Sequence, residues 1–300
     1  MSLGAGSDMM AYRPCGADLS GRIALVTGAN SGMGKETARE LARMGAGVIL
    51  ACRSTARGQA AAQEIIATTG RTGVTVMKLD LSSLASVRTF VQAFRDRFPK
   101  LDVLVNNAAA SLRTRELTCD GFERQWATNV LGPHLLTKLL LPALEASGAG
   151  RIVTVSTVAA GGLDLSDPQY EKRRYSGIGA YRASKQASRM LTWSLADRLK
   201  AAQITANALN PGYVRTNLTT NVGGPLKIVV ALTGFRAQTA LDGADTAIWL
   251  AASRDVEGVT GKFWNNRHEA RCRFRDPAGM EQLWTLVEHQ TARTVQDEVP

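Results

Sequence analysis

The 300-residue chain reads as an α/β protein, a doubly wound parallel sheet flanked by helices and built as a single domain. Three observations predict this. Short continuous apolar runs alternate with helix-length amphipathic stretches, the pattern of strands covered on both faces. The first apolar run opens into a glycine-rich turn that leads straight into a helix. No linker-like stretch, repeat or low-complexity segment divides the chain.

Residues 1–20 contain Gly, Ser, Pro and Asp without an apolar core. They are expected as a flexible leader and not a signal peptide, which leaves 21–300 for the domain. Strands follow at Ile23 to Thr27, Val48 to Cys52, Val74 to Leu79, Val103 to Val105, Ile152 to Val155 and Ile204 to Leu209. Helices are expected over 34–45, 57–69, 83–98, 121–146, 180–202, 241–253 and 278–291. Gly45 and Gly70 stand where helix C-caps belong. The stretches at about 161–179 and 215–240 break the rhythm and follow strand ends. That is the side where such sheets bind ligands, so both are expected to be substrate loops.

The bulk numbers exclude several functions. A net charge of +10 invites a nucleic-acid reading, but no run of five or six basic residues occurs and no nucleic-acid-binding signature is present. Cys15, Cys52, Cys119 and Cys272 form no C-x-x-C pair and no ligand spacing with the three histidines. Reduced thiols and no metal are therefore expected. No apolar run approaches the ~20 residues of a membrane span, so a cytoplasmic location is expected.

The first strand runs into Thr27-Gly28-Ala29-Asn30-Ser31-Gly32-Met33-Gly34. Glycines here let the backbone turn sharply and approach a pyrophosphate, and the helix that follows offers free N–H groups. Gly28, Asn30, Ser31, Gly32, Met33 and Gly34 are thus assigned to a dinucleotide. The second strand ends at Ala51-Cys52-Arg53-Ser54, with no acid to accept ribose hydroxyls. Arg53 instead suits a 2′-phosphate, which selects NADP(H) over NAD(H). Lys35 and Arg57 lie nearby in sequence.

The strongest chemical signal is Tyr181-Arg182-Ala183-Ser184-Lys185. Tyr and Lys at i and i+4 share one helix face, where an ammonium lowers the phenol's pKa towards neutrality. Ser156, with Thr157 beside it, ends a strand and can hold a substrate oxygen near Tyr181. Asn129 stands inside a helix, against propensity. Tyr170 with Arg174 has the same spacing but falls in a loop, and Tyr175 has no lysine four residues on.

Together these motifs resemble the short-chain dehydrogenase/reductase family, with its TGxxxGxG turn and its Asn-Ser-Tyr-Lys tetrad. The resemblance covers about residues 20–265. It implies a Rossmann-type fold, with Asn129, Ser156, Tyr181 and Lys185 as catalytic residues. It also implies that Lys185 bonds the nicotinamide ribose and that Asn129 anchors a water leading to Lys185. Asp80 and Leu81 would flank adenine, and Asn107 and Ala108 would line the cofactor, with Ala110 where the family's NNAG motif ends in glycine. Pro211, Gly212, Val214 and Thr216 would meet the nicotinamide carboxamide.

GKETARELA, LACR, KLDLSSLASVR, Gln282-Leu283-Trp284 and the 25-residue step from Ser156 to Tyr181 resemble the retinol-dehydrogenase-like branch. A bulky apolar carbonyl or alcohol is then the implied substrate. Without an N-terminal anchor, retinol itself is not expected. Leu226, Ile228, Val229, Val230 and Phe235 would line the lid over that substrate, or simply pack it down. The implied function is reversible hydride transfer between NADP(H) and the substrate. The alternatives are a reaction with no net redox outcome, such as cyclisation, epimerisation or dehydration, and a cofactor-sensing role without catalysis. The family also implies a homo-oligomer, formed through the helices that hold Asn129 and Lys185.

Overall fold

The structure, a computed structural model, describes residues 11–211 and 239–292. The strands are β1 (Ile23–Thr27), β2 (Gly47–Cys52), β3 (Val74–Lys78), β4 (Val103–Asn106), β5 (Arg151–Val155), β6 (Thr205–Asn210), β7 (Phe263–Asn265) and β8 (His268–Ala270). They form one sheet in the order β3-β2-β1-β4-β5-β6-β7-β8, parallel throughout except for the antiparallel β7–β8 hairpin. The order reverses direction between β1 and β4, which opens a crevice at the strands' carboxyl ends.

Helices α1 (Gly32–Arg43) and α2 (Thr55–Thr69) pack on one face with α7 (Ala240–Ala252). The other face carries α3 (Leu84–Arg95), α5 (Gly132–Glu145), α6 (Gly177–Arg198) and α8 (Pro277–Ala292). Both faces of the sheet are therefore covered, and the central strands are buried along nearly their whole length. Their unbroken apolar runs follow from that burial. The two extra strands, β7 and β8, are three residues each and too short to carry a period.

Two expectations are corrected. The helix expected over 121–146 is three pieces: a short α4 (Arg124–Trp126), a π-helical turn over Ala127–Leu131, and α5. The described part of the leader is not loose. Tyr12 and Arg13 donate backbone N–H groups to Asp242 (2.9 Å) and Asp245 (2.8 Å) on α7, and Arg267 bridges Asp245 to the Arg13 carbonyl.

Gly132, where the π turn passes into α5, lies directly under Leu81, and a Cβ there would overlap the Leu81 carbonyl oxygen. Backbone on both sides leaves no flexible side chain to yield. Gly132→Ala is expected to destabilise the fold by about 1–3 kcal/mol, read as a lower urea midpoint with an unchanged m-value.

Candidate active site

The glycine turn is held from below. Thr27 Oγ1 donates to the Val105 carbonyl and accepts from the backbone N–H groups of Asn107 and Ala108, both at 3.0 Å. Asn107 Nδ2 donates back to the Thr27 carbonyl at 2.8 Å. A Cβ on Gly34 would overlap Asn107 Nδ2, so that glycine serves the contact between turn and β4 loop. Gly28 and Gly32 lie at φ of +67° and +56°, in the left-handed region that suits glycine. Nothing lies within 4 Å of a Cβ built on Gly32.

Ser31, the exposed N-cap of α1, makes no side-chain cap bond, and the first turn carries no acid. The free N–H groups and the open space suit a pyrophosphate. Asn30 and Met33 flank this opening and are partly buried.

Arg53 is exposed just past β2, and its side chain forms no hydrogen bond or ion pair among the described residues. Lys35 is occupied by Glu64 at 2.7 Å, so it adds less positive potential than its place in the sequence suggests. Asp80 accepts from Ser82 through both N–H and hydroxyl, which shapes the turn after β3, and Leu81 is buried beside it. Asn106 closes β4 and Asn107 opens the loop. The paired asparagines are therefore these two, and the fourth motif position is Ala109. This corrects the placing of the missing glycine at Ala110.

Asn129 sits within the π turn and is buried. Its Oδ1 accepts from Ala110 N–H at 2.7 Å, and its Nδ2 donates to the Ala110 carbonyl and to Ser184 Oγ, each at 2.9 Å. Ser184 in turn donates to the Tyr181 carbonyl at 2.7 Å. The widened turn is what lets an asparagine in mid-helix reach two other segments, and such turns recur at functional sites. The sequence pattern shows Asn129 but not this bracing. Asn129→Leu leaves the Ala110 groups and the Ser184 hydroxyl without these partners. A stability loss of about 2–4 kcal/mol is expected in urea unfolding, together with slower turnover.

Ser156 and Lys185 join β5 to α6. Ser156 Oγ donates to the Lys185 carbonyl at 3.0 Å, and Lys185 Nζ donates to the Val155 carbonyl at 2.8 Å. Thr157 Oγ1 instead accepts from Ala159 N–H and closes a local turn. Lys185 Nζ lies 5.9 Å from the centre of the Tyr181 ring. The Tyr181 hydroxyl has no hydrogen-bond partner among the described residues. Burial pushes the Tyr181 phenol up to about 12 and the Lys185 ammonium down to about 8. This reverses the expected direction for Tyr181. The ammonium is spent on the Val155 carbonyl, so desolvation of the phenol prevails over attraction.

The β5–α6 connection is anchored at both ends. Asp167 accepts backbone N–H groups from Glu171, Lys172 and Arg173. Tyr175 donates to buried Glu123 at 2.9 Å. Tyr170, the decoy, stacks edge-on with Tyr175 under Arg173, away from Lys185. Arg189 is a buried cation that sequence reasoning missed. Its guanidinium lies 3.6 Å over the Phe263 ring and donates to the Thr157 carbonyl, just beyond Ser156. Pro211 follows β6 and is partly buried, whereas Gly212, Val214, Thr216 and the lid residues from Leu226 to Phe235 lie outside the described residues.

Helix α8 covers part of the face expected to pair subunits. Trp284 meets His134 edge-on, Glu288 bonds His134 at 2.8 Å and pairs with Lys138, and Trp126 Nε1 donates to Gln290 at 2.9 Å. No described helix is long and apolar enough to cross a membrane. No cluster of metal-ligating side chains occurs among the described residues.

Comparison with known proteins agrees with the fold. The family model described as short chain dehydrogenase matches residues 22–225. Mouse retinol dehydrogenase 12 is 39% identical over 89% of this chain and 85% of its own length. A crystal structure of a putative uncharacterized protein from Mycobacterium paratuberculosis is 37% identical, with a TM-score of 0.76, and covers 94% of this chain and 98% of that one. A putative short chain dehydrogenase from Escherichia coli, complexed with NADPH, is 28% identical with a TM-score of 0.66, and covers 85% of this chain and 100% of that one.

Proposed function

This chain belongs to the short chain dehydrogenase family of nicotinamide-dependent oxidoreductases, and from that premise we propose that it interconverts a carbonyl and an alcohol on a bulky apolar small molecule, using NADP(H). The carrying observation is the junction of β5 and α6. Two hydrogen bonds tie Lys185 to β5, one from Ser156 Oγ to the Lys185 carbonyl and one from Lys185 Nζ to the Val155 carbonyl, and one turn away the Tyr181 hydroxyl has no partner among the described residues. A nicotinamide bound at the glycine turn would supply or accept the hydride.

The protein's own part is to hold the substrate oxygen and manage one proton. In reduction, the Tyr181 phenol donates its proton to the oxygen as negative charge develops there. Ser156 is placed to steady that oxygen by exchanging its bond to the Lys185 carbonyl for one to the substrate. Lys185, whose Nζ is bonded to the Val155 carbonyl, is the ammonium that a nicotinamide ribose would meet. Asn129, through Ser184, holds the helical turn that carries Tyr181.

An apolar substrate is supported by two side chains at the rim. Val158, two residues past Ser156, is 56% exposed, and Ile178, three before Tyr181, is 57% exposed. Exposed apolar groups beside a reactive centre mark a surface that a ligand covers. The name of the mouse relative points the same way, since retinol is a bulky apolar alcohol.

NADP(H) is supported by Arg53, an exposed cation past β2 with no ion-pair partner among the described residues and no acid beside it to accept ribose hydroxyls. Arg53→Glu is expected to weaken NADPH binding about 10–100-fold, the scale of a lost charge-assisted hydrogen bond, without weakening NADH. Titration of both cofactors by fluorescence checks this, and equal losses for the two would remove Arg53 from the 2′-phosphate site.

The test of the whole reading is NADPH oxidation by purified protein against a panel of bulky ketones and aldehydes. Substrate-dependent oxidation supports it. Tight cofactor binding with product formed and no NADPH consumed would move the protein to a reaction with no net redox outcome.

A further inference from the structure

Behind the catalytic junction, on the α8 side of the sheet, lies a cavity of about 300 Å³ that borders Asn129 and Lys185 from the side away from Ser156 and Tyr181. It is a slot between α5 and α6, floored by β4 and β5. Its lining on α6 runs from Lys185 to Leu195, which at 1.5 Å per residue is a length of roughly 15 Å. Trp284 and Glu288 of α8 form its outer wall. Ser156 and Tyr181 do not line it.

The slot is mainly apolar, with polar groups set along it. Asn106 and Thr154 are paired across β4 and β5 on its floor, Thr154 is bonded to Thr192 of α6, and Ile152, Leu191 and Leu195 supply apolar wall. Asn106 is 8% exposed, and its Nδ2 donates to Thr137 Oγ1, but its Oδ1 has no partner among the described residues. A buried acceptor left unpaired costs about 1–3 kcal/mol, so a group that donates to it is favoured there.

That pattern selects the ligand. An orphan acceptor calls for a donor, which a carboxylate lacks. An ammonium would meet the Lys185 cation. A neutral hydroxyl satisfies Asn106 without either conflict, and the long apolar remainder takes a chain. At ~30 Å³ per non-hydrogen atom, the space one water takes in the liquid, the volume holds roughly ten such atoms. We propose that this slot is a second small-molecule site, separate from the hydride-transfer cleft, which binds a neutral medium-chain aliphatic alcohol with its hydroxyl at Asn106 and its chain towards Leu195. An occupant contacts Lys185 and Asn129, so it touches the catalytic junction from the side away from Ser156 and Tyr181.

The probe is 2-methyl-2-octanol, a tertiary alcohol that dehydrogenation cannot consume. Its binding to the full chain, saturated with NADP, is followed by calorimetry, against 2-methyloctane, which lacks the hydroxyl. Saturable one-to-one binding is expected, at least ~10-fold tighter for the alcohol. Leu195→Trp, which fills the slot at its apolar wall, should weaken the alcohol at least tenfold while NADPH binding persists. Absence of saturable binding, equal affinity for the two probes, or binding untouched in a folded Leu195→Trp protein would each overturn the site. The probe pair on wild-type protein decides the matter if the variant does not fold. None of these readouts depends on turnover.

Discussion

Tyr181→Phe protein is expected to bind NADPH within about threefold of wild type and to lose at least ~10³-fold in turnover, within the range general acid catalysis supplies. The substitution removes one oxygen that no described residue bonds, so the surrounding structure has no reason to shift. The pH profile adds a sharper check. With the phenol pushed up to about 12, Tyr181 stays protonated from pH 6 to 9, and its contribution to reduction is flat across that range. Oxidation needs the phenolate, whose fraction rises tenfold per pH unit below its pKa, so alcohol oxidation should climb steadily over the same range. Retained turnover in Tyr181→Phe, or an oxidation rate indifferent to pH, would remove Tyr181 as the proton carrier.

Lys185→Met should be inactive and yet more stable than wild type near neutrality. Lys185 is buried, and burial lowers its ammonium from 10.5 to about 8. The folded chain therefore binds that proton less readily than the unfolded chain. Below about pH 8 the buried charge carries its full cost, on the order of 3 kcal/mol. As pH rises from about 8 towards 10.5 the cost is relieved, and wild-type stability gains. Met also loses the bond to the Val155 carbonyl, which offsets about 1 kcal/mol. A net gain of about 1–2 kcal/mol at pH 7 is expected, or roughly 2–3 °C in Tm for a chain of this length, shrinking to nothing or reversing by pH 10. Urea unfolding at pH 7 and 10 measures it. A variant less stable than wild type at pH 7 would show that the ammonium is better satisfied than its burial implies. The cost fits a group kept for chemistry, since an apolar side chain would serve packing alone.

The glycine turn, the strand series and the Tyr-Lys helix were legible in the sequence because each is a local property. Positive φ at Gly28 and Gly32 is a demand of one residue on its own backbone. The shared face of Tyr181 and Lys185 follows from helical pitch, and a buried parallel strand announces itself by an unbroken apolar run. Those local signals were enough to identify the doubly wound sheet and the family, and to single out the glycine turn and the Tyr-Lys helix as candidates.

What the sequence could not decide depends on partners distant along the chain. Lys185 bonds Val155, thirty residues away, and that choice turned an expected acidic phenol into one raised by burial. Asn129 reaches Ala110 and Ser184 only because the helix opens into a π turn, which depends on the packing around it. Helix α8 has a readable start and end, but its seat on α5 and α6 rests on the contacts of Trp284 and Glu288 with His134. Hydrogen-bond choice and desolvation are set by whatever the fold brings within a few ångströms. The candidate groups could therefore be named from the sequence, while their protonation, their bracing and the slot behind them were decided by tertiary structure.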